Sequence, residues 1–136
     1  MILVDAGPLV ALIHADDNHH RRCAETFQAL DEPLVSVWPA VTEAMYLLGF
    51  SWQAQDALGS FLERGALTIL PLEMEDVPRM RELMAKYQEL PMDFADAALV
   101  RVAERQRIGR VFTVDYRDFS LYRPDRIGSF TILPGP

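Results

Sequence analysis

Ile2-Leu3-Val4-Asp5-Ala6-Gly7-Pro8-Leu9 opens with three apolar residues, an acid and a Gly-Pro step. The apolar run reads as a buried strand, stopped by a tight turn at Asp5-Ala6-Gly7-Pro8. Pro8 suits the first turn of a helix, predicted from Leu9 to His14. This unit of strand, turn and helix recurs along the chain. Asp16-Asp17-Asn18 offers a cap ahead of a helix from Arg22 to Leu30, and Pro33 breaks it. Leu34-Val35-Ser36-Val37 reads as a second strand, and Pro39 starts a helix through Tyr46 and Leu48. After Gly49 and Ser51 a further helix runs from about Trp52 to Leu62. Leu67-Thr68-Ile69-Leu70 is a third strand, closed by Pro71. A helix from Asp76 to Gln88 follows, with Met80, Leu83, Met84 and Tyr87 along one face. Asp93 to Arg107 is the next helix, and Gly109 marks its stop. Val111-Phe112-Thr113-Val114 is the fourth strand and runs into Asp115. A short strand, Phe130 to Leu133, precedes Pro-Gly-Pro. Strands alternating with helices predict an α/β domain of three layers, with a central, mostly parallel sheet flanked by helices. Residues 1–136 suit one domain.

The composition supports that reading and narrows the function. Half of the 136 residues are hydrophobic and 24% are charged, proportions that build a packed core. No secretory signal is read at the N-terminus, and no apolar stretch is long enough to span a bilayer. A single cysteine, Cys23, excludes an intrachain disulfide and a cysteine-rich zinc site. Cys23 is expected to be a half-buried, inert thiol on a helix. These features together predict a cytoplasmic protein without a membrane partner. The net charge of -7 argues against binding nucleic acid by charge alone. Lys86 is the only lysine; the other basic residues are arginines, which favour bidentate contact with phosphate or carboxylate.

In a parallel sheet the functional crevice lies at the carboxyl ends of the strands, where strand order reverses. Asp5 directly follows the first strand and Asp115 the fourth. Glu43 lies early in the helix after the second strand. Asp96 lies in the first turn of the helix that leads into the fourth, with Asp93 one turn before it. All of these positions face one edge of the sheet. Crowded carboxylates repel one another unless a cation sits among them. Oxygen ligands without His or Cys beside them suit Mg²⁺ or Mn²⁺. Such an ion also reconciles an acidic protein with a phosphate substrate. Arg117, Arg123 and Arg126 follow Asp115 closely and are candidate contacts to a substrate backbone, together with Thr113. Asp93 is read mainly as a helix cap, favoured at that end by the helix dipole.

With these residues in place the chain resembles the PIN-domain nucleases and, among them, the VapC-type toxins of toxin–antitoxin pairs. The resemblance spans nearly the whole chain. It is carried by Ile2-Leu3-Val4-Asp5-Ala6-Gly7-Pro8-Leu9, by Val41-Thr42-Glu43, by Asp93-Phe94-Ala95-Asp96-Ala97-Ala98-Leu99-Val100 and by Phe112-Thr113-Val114-Asp115-Tyr116-Arg117-Asp118-Phe119. It implies a Mg²⁺- or Mn²⁺-dependent endoribonuclease, with Asp5, Glu43, Asp96 and Asp115 as the catalytic, metal-binding quartet. It implies RNA as substrate, a homodimer, and a cognate antitoxin protein. One departure is Ala6, where the family often has Ser or Thr after the first Asp.

Other readings fit less well. His14, His19 and His20 cluster with Asp16 and Asp17, but a solvated loop explains them better than a transition-metal site. Trp38, Trp52 and Phe61 are able to stack on bases, yet their apolar neighbours predict core or subunit packing. The turn after the first strand has neither the glycines nor the spacing of a dinucleotide site, and Lys86 is not in a P-loop. A haloacid-dehalogenase phosphatase has a second Asp where this chain has Gly7. A phospho-acceptor receiver needs a lysine after a late strand. The remaining rival is a catalytically weak or inactive PIN-like module that binds a protein partner or RNA without cutting it.

Overall fold

A computed structural model of the chain describes residues 1–135. The opening apolar run forms β1 (Ile2–Val4), buried at every position. It pairs on one side with β2 (Leu34–Ser36) and on the other with β4 (Arg110–Phe112). The edges are β3 (Thr68–Ile69) and β5 (Thr131–Leu133), and the order is β3-β2-β1-β4-β5, every pair parallel. Apart from β1, which matches its reading, the strands are shorter than the sequence predicts. The fourth ends at Phe112, with Thr113 N still donating to Leu133 O at 2.9 Å. The third keeps only two ladder residues, although Leu70 N still donates to Ser36 O at 2.9 Å.

Alternation along the strands divides the interior. Ile2, Val4, Leu34 and Phe112 face one core, with Leu9, Cys23, Val41 and Leu58. Leu3, Val35 and Val111 face the other, with Met80, Leu83, Leu99 and Phe119. Each large side chain so buried contributes about 1.5–3 kcal/mol. The first core is covered by α1 (Ala6–Ile13), α2 (His20–Ala29) and α4 (Trp52–Glu63). The second is covered by α5 (Val77–Lys86), α6 (Phe94–Gln106) and the short α7 (Tyr116–Leu121). Between them α3 (Trp38–Leu47) packs on both α1 and α6. Cys23 is fully buried, not half-buried, and burial pushes its thiol up to about 11.

Local chemistry sets the helix starts. α1 begins at Ala6, earlier than predicted, because Asp5 caps it; Pro8 is tolerated there since first-turn N–H groups lack helical partners. A Cβ at Gly7 would lie 2.4 Å from Val114 Cγ2, so glycine lets α1 close against the segment after β4. The predicted helix at Asp76 divides into a 3-10 turn (Met74–Asp76) and α5, with Pro78 in the first turn of α5. Asp76, only 1% exposed, pairs with Arg101 at 2.8 Å and with Arg105, tying that turn to α6. α6 ends at Gln106, and Arg107, with φ of 57°, supplies the left-handed cap just before Gly109. α7 was not expected: six residues carry no readable apolar period, and its cap on Asp115 decides it.

Candidate metal centre

Strand order reverses between β1 and β4, and the predicted acids gather where those two strands end. Asp5 N donates to Phe112 O at 3.0 Å, so β1 and β4 leave the sheet together. The Asp5 carboxylate is 7% exposed and holds two donors: Ala6 N on Oδ1 and the Thr113 hydroxyl on Oδ2, both at 2.8 Å. Asp93 caps α6 by accepting from Asp96 N at 2.8 Å, as expected of it. This places Asp96 in the first turn, 9% exposed, where Oδ2 accepts from the Tyr122 hydroxyl at 2.7 Å. Asp115 caps α7, accepting from Asp118 N at 3.1 Å, and its own N–H donates to Thr113 Oγ1 at 3.0 Å. Glu43 is half-buried on α3.

Asp96, Asp115 and Asp118 each offer an oxygen within 4.8 Å of the others. The acids also feel one another. Burial, with Asp115 and Asp93 adding repulsion, lifts Asp5 to about 6 despite its hydrogen bonds. Burial and the charge of Asp5 lift Asp96 to about 8. Glu43 is raised by burial and then by Asp5 and Asp93. Asp118 is raised by burial and by Asp115, with Arg117 acting in the opposite sense. The leading charges on Asp5, Glu43 and Asp96 are therefore all carboxylates. An all-oxygen donor set with this surplus of negative charge fits a hard divalent cation such as Mg²⁺ or Mn²⁺.

The supporting residues are placed less uniformly. Thr113 is 1% exposed and its hydroxyl donates to Asp5, so it supports a carboxylate. It supplies to Asp5 the kind of hydroxyl contact that Ala6 lacks. Arg117 is exposed beside Asp118. Arg123 turns its guanidinium to the carbonyls of Ser120 and Tyr122, at 2.6 and 2.9 Å. Arg126 lies with Asp125 beside Arg101, Glu104 and Arg105, along the later part of α6 and away from the acids. The histidines take separate partners: His20 Nδ1 contacts Ala11 O at 2.6 Å, and the His14 ring meets Phe50 at a tilt of 57°.

Trp38 and Trp52 are 60% and 70% exposed, so of the two roles expected of them core packing does not hold: the buried face of α3 goes to Ala40, Val41 and Ala44, and that of α4 to Leu58. Phe61 does pack, against Phe27. Trp38 borders an open groove with Tyr46 and Phe94, which Glu43 and Asp93 also line. Asp118 and Tyr122 were missed in the sequence. Asp118 had a signal: Asp115-Tyr116-Arg117-Asp118 repeats the spacing of Asp93-Phe94-Ala95-Asp96, a cap followed by a first-turn acid. Tyr122 had none.

A family model described as PIN domain matches residues 2–125. Ribonuclease VapC26 of Mycobacterium tuberculosis (strain ATCC 25618 / H37Rv) is 29% identical over 135 residues, covering 98% of this chain and all of that protein. The crystal structure of Mycobacterium tuberculosis VapC20, described as a sarcin-ricin loop cleaving toxin, superposes with a TM-score of 0.80 at 18% identity. That match covers 86% of this chain and 92% of the other, and at this identity it speaks for the fold.

Proposed function

The chain belongs to the PIN-domain family, and from that premise we propose that it is a metal-dependent endoribonuclease, the toxin of a toxin–antitoxin pair. The observation that carries this reading is the convergence of carboxylates at the β1/β4 switch, with no neutralising base among their leading charges. Asp5, Glu43, Asp96 and Asp115 are the residues to hold Mg²⁺ or Mn²⁺, with Asp118 as a further oxygen donor and Asp93 as the cap that orients Asp96. A divalent ion bound there supplies charge stabilisation on a scissile phosphate and a lowered pKa for the attacking water. The chain's own part is to keep the carboxylates fixed and mutually close. Thr113 anchors Asp5, and the caps of α6 and α7 hold the first-turn acids in place. Arg117, exposed beside Asp118, is the residue proposed to meet an RNA phosphate.

VapC26 is named a ribonuclease and VapC20 a toxin that cleaves the sarcin-ricin loop; RNA is the substrate class proposed for this chain as well. Residues 1–136 act as one PIN-like domain, in the cytoplasm, with a cognate antitoxin and as a homodimer. The groove edged by Trp38, Tyr46 and Phe94 is the exposed apolar surface that a second copy is proposed to cover. None of the helices among the described residues is long and apolar enough to cross a membrane. The test is RNA cleavage by purified, partner-free protein with Mn²⁺ or Mg²⁺, beside a chelator control and Asp5→Asn and Asp96→Asn variants. Cleavage should need the ion and fall by about a hundred-fold or more in either variant. RNA binding without cleavage under every ion condition would instead favour the non-cutting module.

A further inference from the structure

We propose that Tyr122 is a positioning residue of the carboxylate centre, holding Asp96 in place from the far end of the same short helix that carries Asp115 and Asp118. The inference rests on the reading of these acids as a cation site. Tyr122 Oη donates to Asp96 Oδ2 at 2.7 Å, linking α7 to the start of α6. The ring is fully buried and meets Tyr87 and Phe119 edge-on, with centroids 5.0 and 5.1 Å away. Its N–H closes α7 by donating to Asp118 O at 3.1 Å. Asp115 caps the other end of that helix, and Asp118 stands in its first turn. One turn and a half of helix therefore carries two acids and the hydroxyl that restrains a third.

The hydroxyl has a physical reason to be there. Asp96 sits among like charges, and repulsion favours rotating it away from them toward water. A fixed donor on Oδ2 opposes that rotation and sets the direction of the other oxygen, which accepts no hydrogen bond among the described residues. Outer partners orient ligating carboxylates in this way. Phenylalanine would fill the same packed volume without the cost of burying a hydroxyl. The hydroxyl's one hydrogen bond among the described residues is to Asp96.

The test is Mn²⁺ titration by calorimetry on cation-free protein, comparing wild type, Tyr122→Phe and Tyr87→Phe. Tyr87 is the control, because its hydroxyl accepts from Arg123 N at 2.7 Å, outside the acid cluster. The dissociation constant should rise about 10- to 100-fold in Tyr122→Phe and stay at the wild-type value in Tyr87→Phe. As a second readout, the rise in thermal midpoint on adding Mn²⁺ should shrink in Tyr122→Phe alone, even if that variant starts from lower stability. Wild-type affinity in Tyr122→Phe would overturn the positioning role and leave the cation site standing. Failure of the wild type to bind Mn²⁺ would overturn both.

Discussion

At Asp96 burial and neighbouring carboxylates act in the same direction, and the consequence is measurable. In an unfolded chain Asp5 and Asp96 lose their protons near 3.8; in the fold they keep them to about 6 and about 8. Between those values the folded state binds more protons than the unfolded one, so stability of the cation-free protein falls as pH rises from about 4 to about 8. Mn²⁺ binding displaces those protons, so its affinity should climb over the same upper range. Thermal midpoints at pH 5 and pH 8, with chelator and with Mn²⁺, check this: a decline with chelator, largely abolished by the ion. Asp96→Asn should flatten the chelator curve. A midpoint that rises between pH 5 and pH 8 in chelator would contradict the electrostatics assigned to the cluster.

At the scale of elements, the site depends on how closely α1 approaches the chain leaving β4. Gly7 and Val114 meet there, and both flank residues of the acid cluster, Asp5 and Asp115. Gly7→Ala inserts a methyl group where only 2.4 Å is available to a stiff, β-branched side chain. We expect it to lower unfolding stability by about 1–3 kcal/mol, measured by urea titration, and to weaken Mn²⁺ binding by displacing Asp5. Adding Val114→Ala should recover much of both losses. Recovery of neither would place the cost elsewhere than in this contact. The three caps at Asp5, Asp93 and Asp115 belong to the same scale: each starts a helix with a carboxylate, and each helix start then faces the cluster.

Across the whole molecule, a charge of -7 coexists with a proposed phosphate substrate because a cation at the acid cluster would invert the local field where the phosphate enters. The exposed aromatics form the complementary feature: Trp38, Tyr46 and Phe94 edge a groove that Glu43 and Asp93 also line. If a second copy covers it, light scattering should give about twice the 15.4 kDa of one chain. Tyr46→Asp, on a side chain 82% exposed, should then shift the mass toward the monomer with Mn²⁺ affinity retained. A monomeric wild type at high concentration would remove the homodimer.

The sequence by itself determined the alternation of strands and helices, the end of β1 at Asp5, and the start of α6 with Asp93 as its cap and Asp96 in its first turn. Those features are local: apolar runs, caps and prolines act on near neighbours, and the sheet-edge rule carries them to one place. It also displayed Asp118, in a spacing that matched its neighbour Asp93-Phe94-Ala95-Asp96. Only the tertiary structure decided what meets the acids from a distance. Thr113 donates to Asp5 across 108 positions and Tyr122 to Asp96 across 26. Arg123, near Asp115 in sequence, turns its guanidinium to the carbonyls of Ser120 and Tyr122, and Arg126 lies with Arg101, Glu104 and Arg105. α7 is held by Asp115 and by the burial of Phe119 and Tyr122, not by a period of its own. Hydrogen bonds and repulsions between side chains depend on which surfaces the cores bring together, and no stretch of sequence encodes that singly.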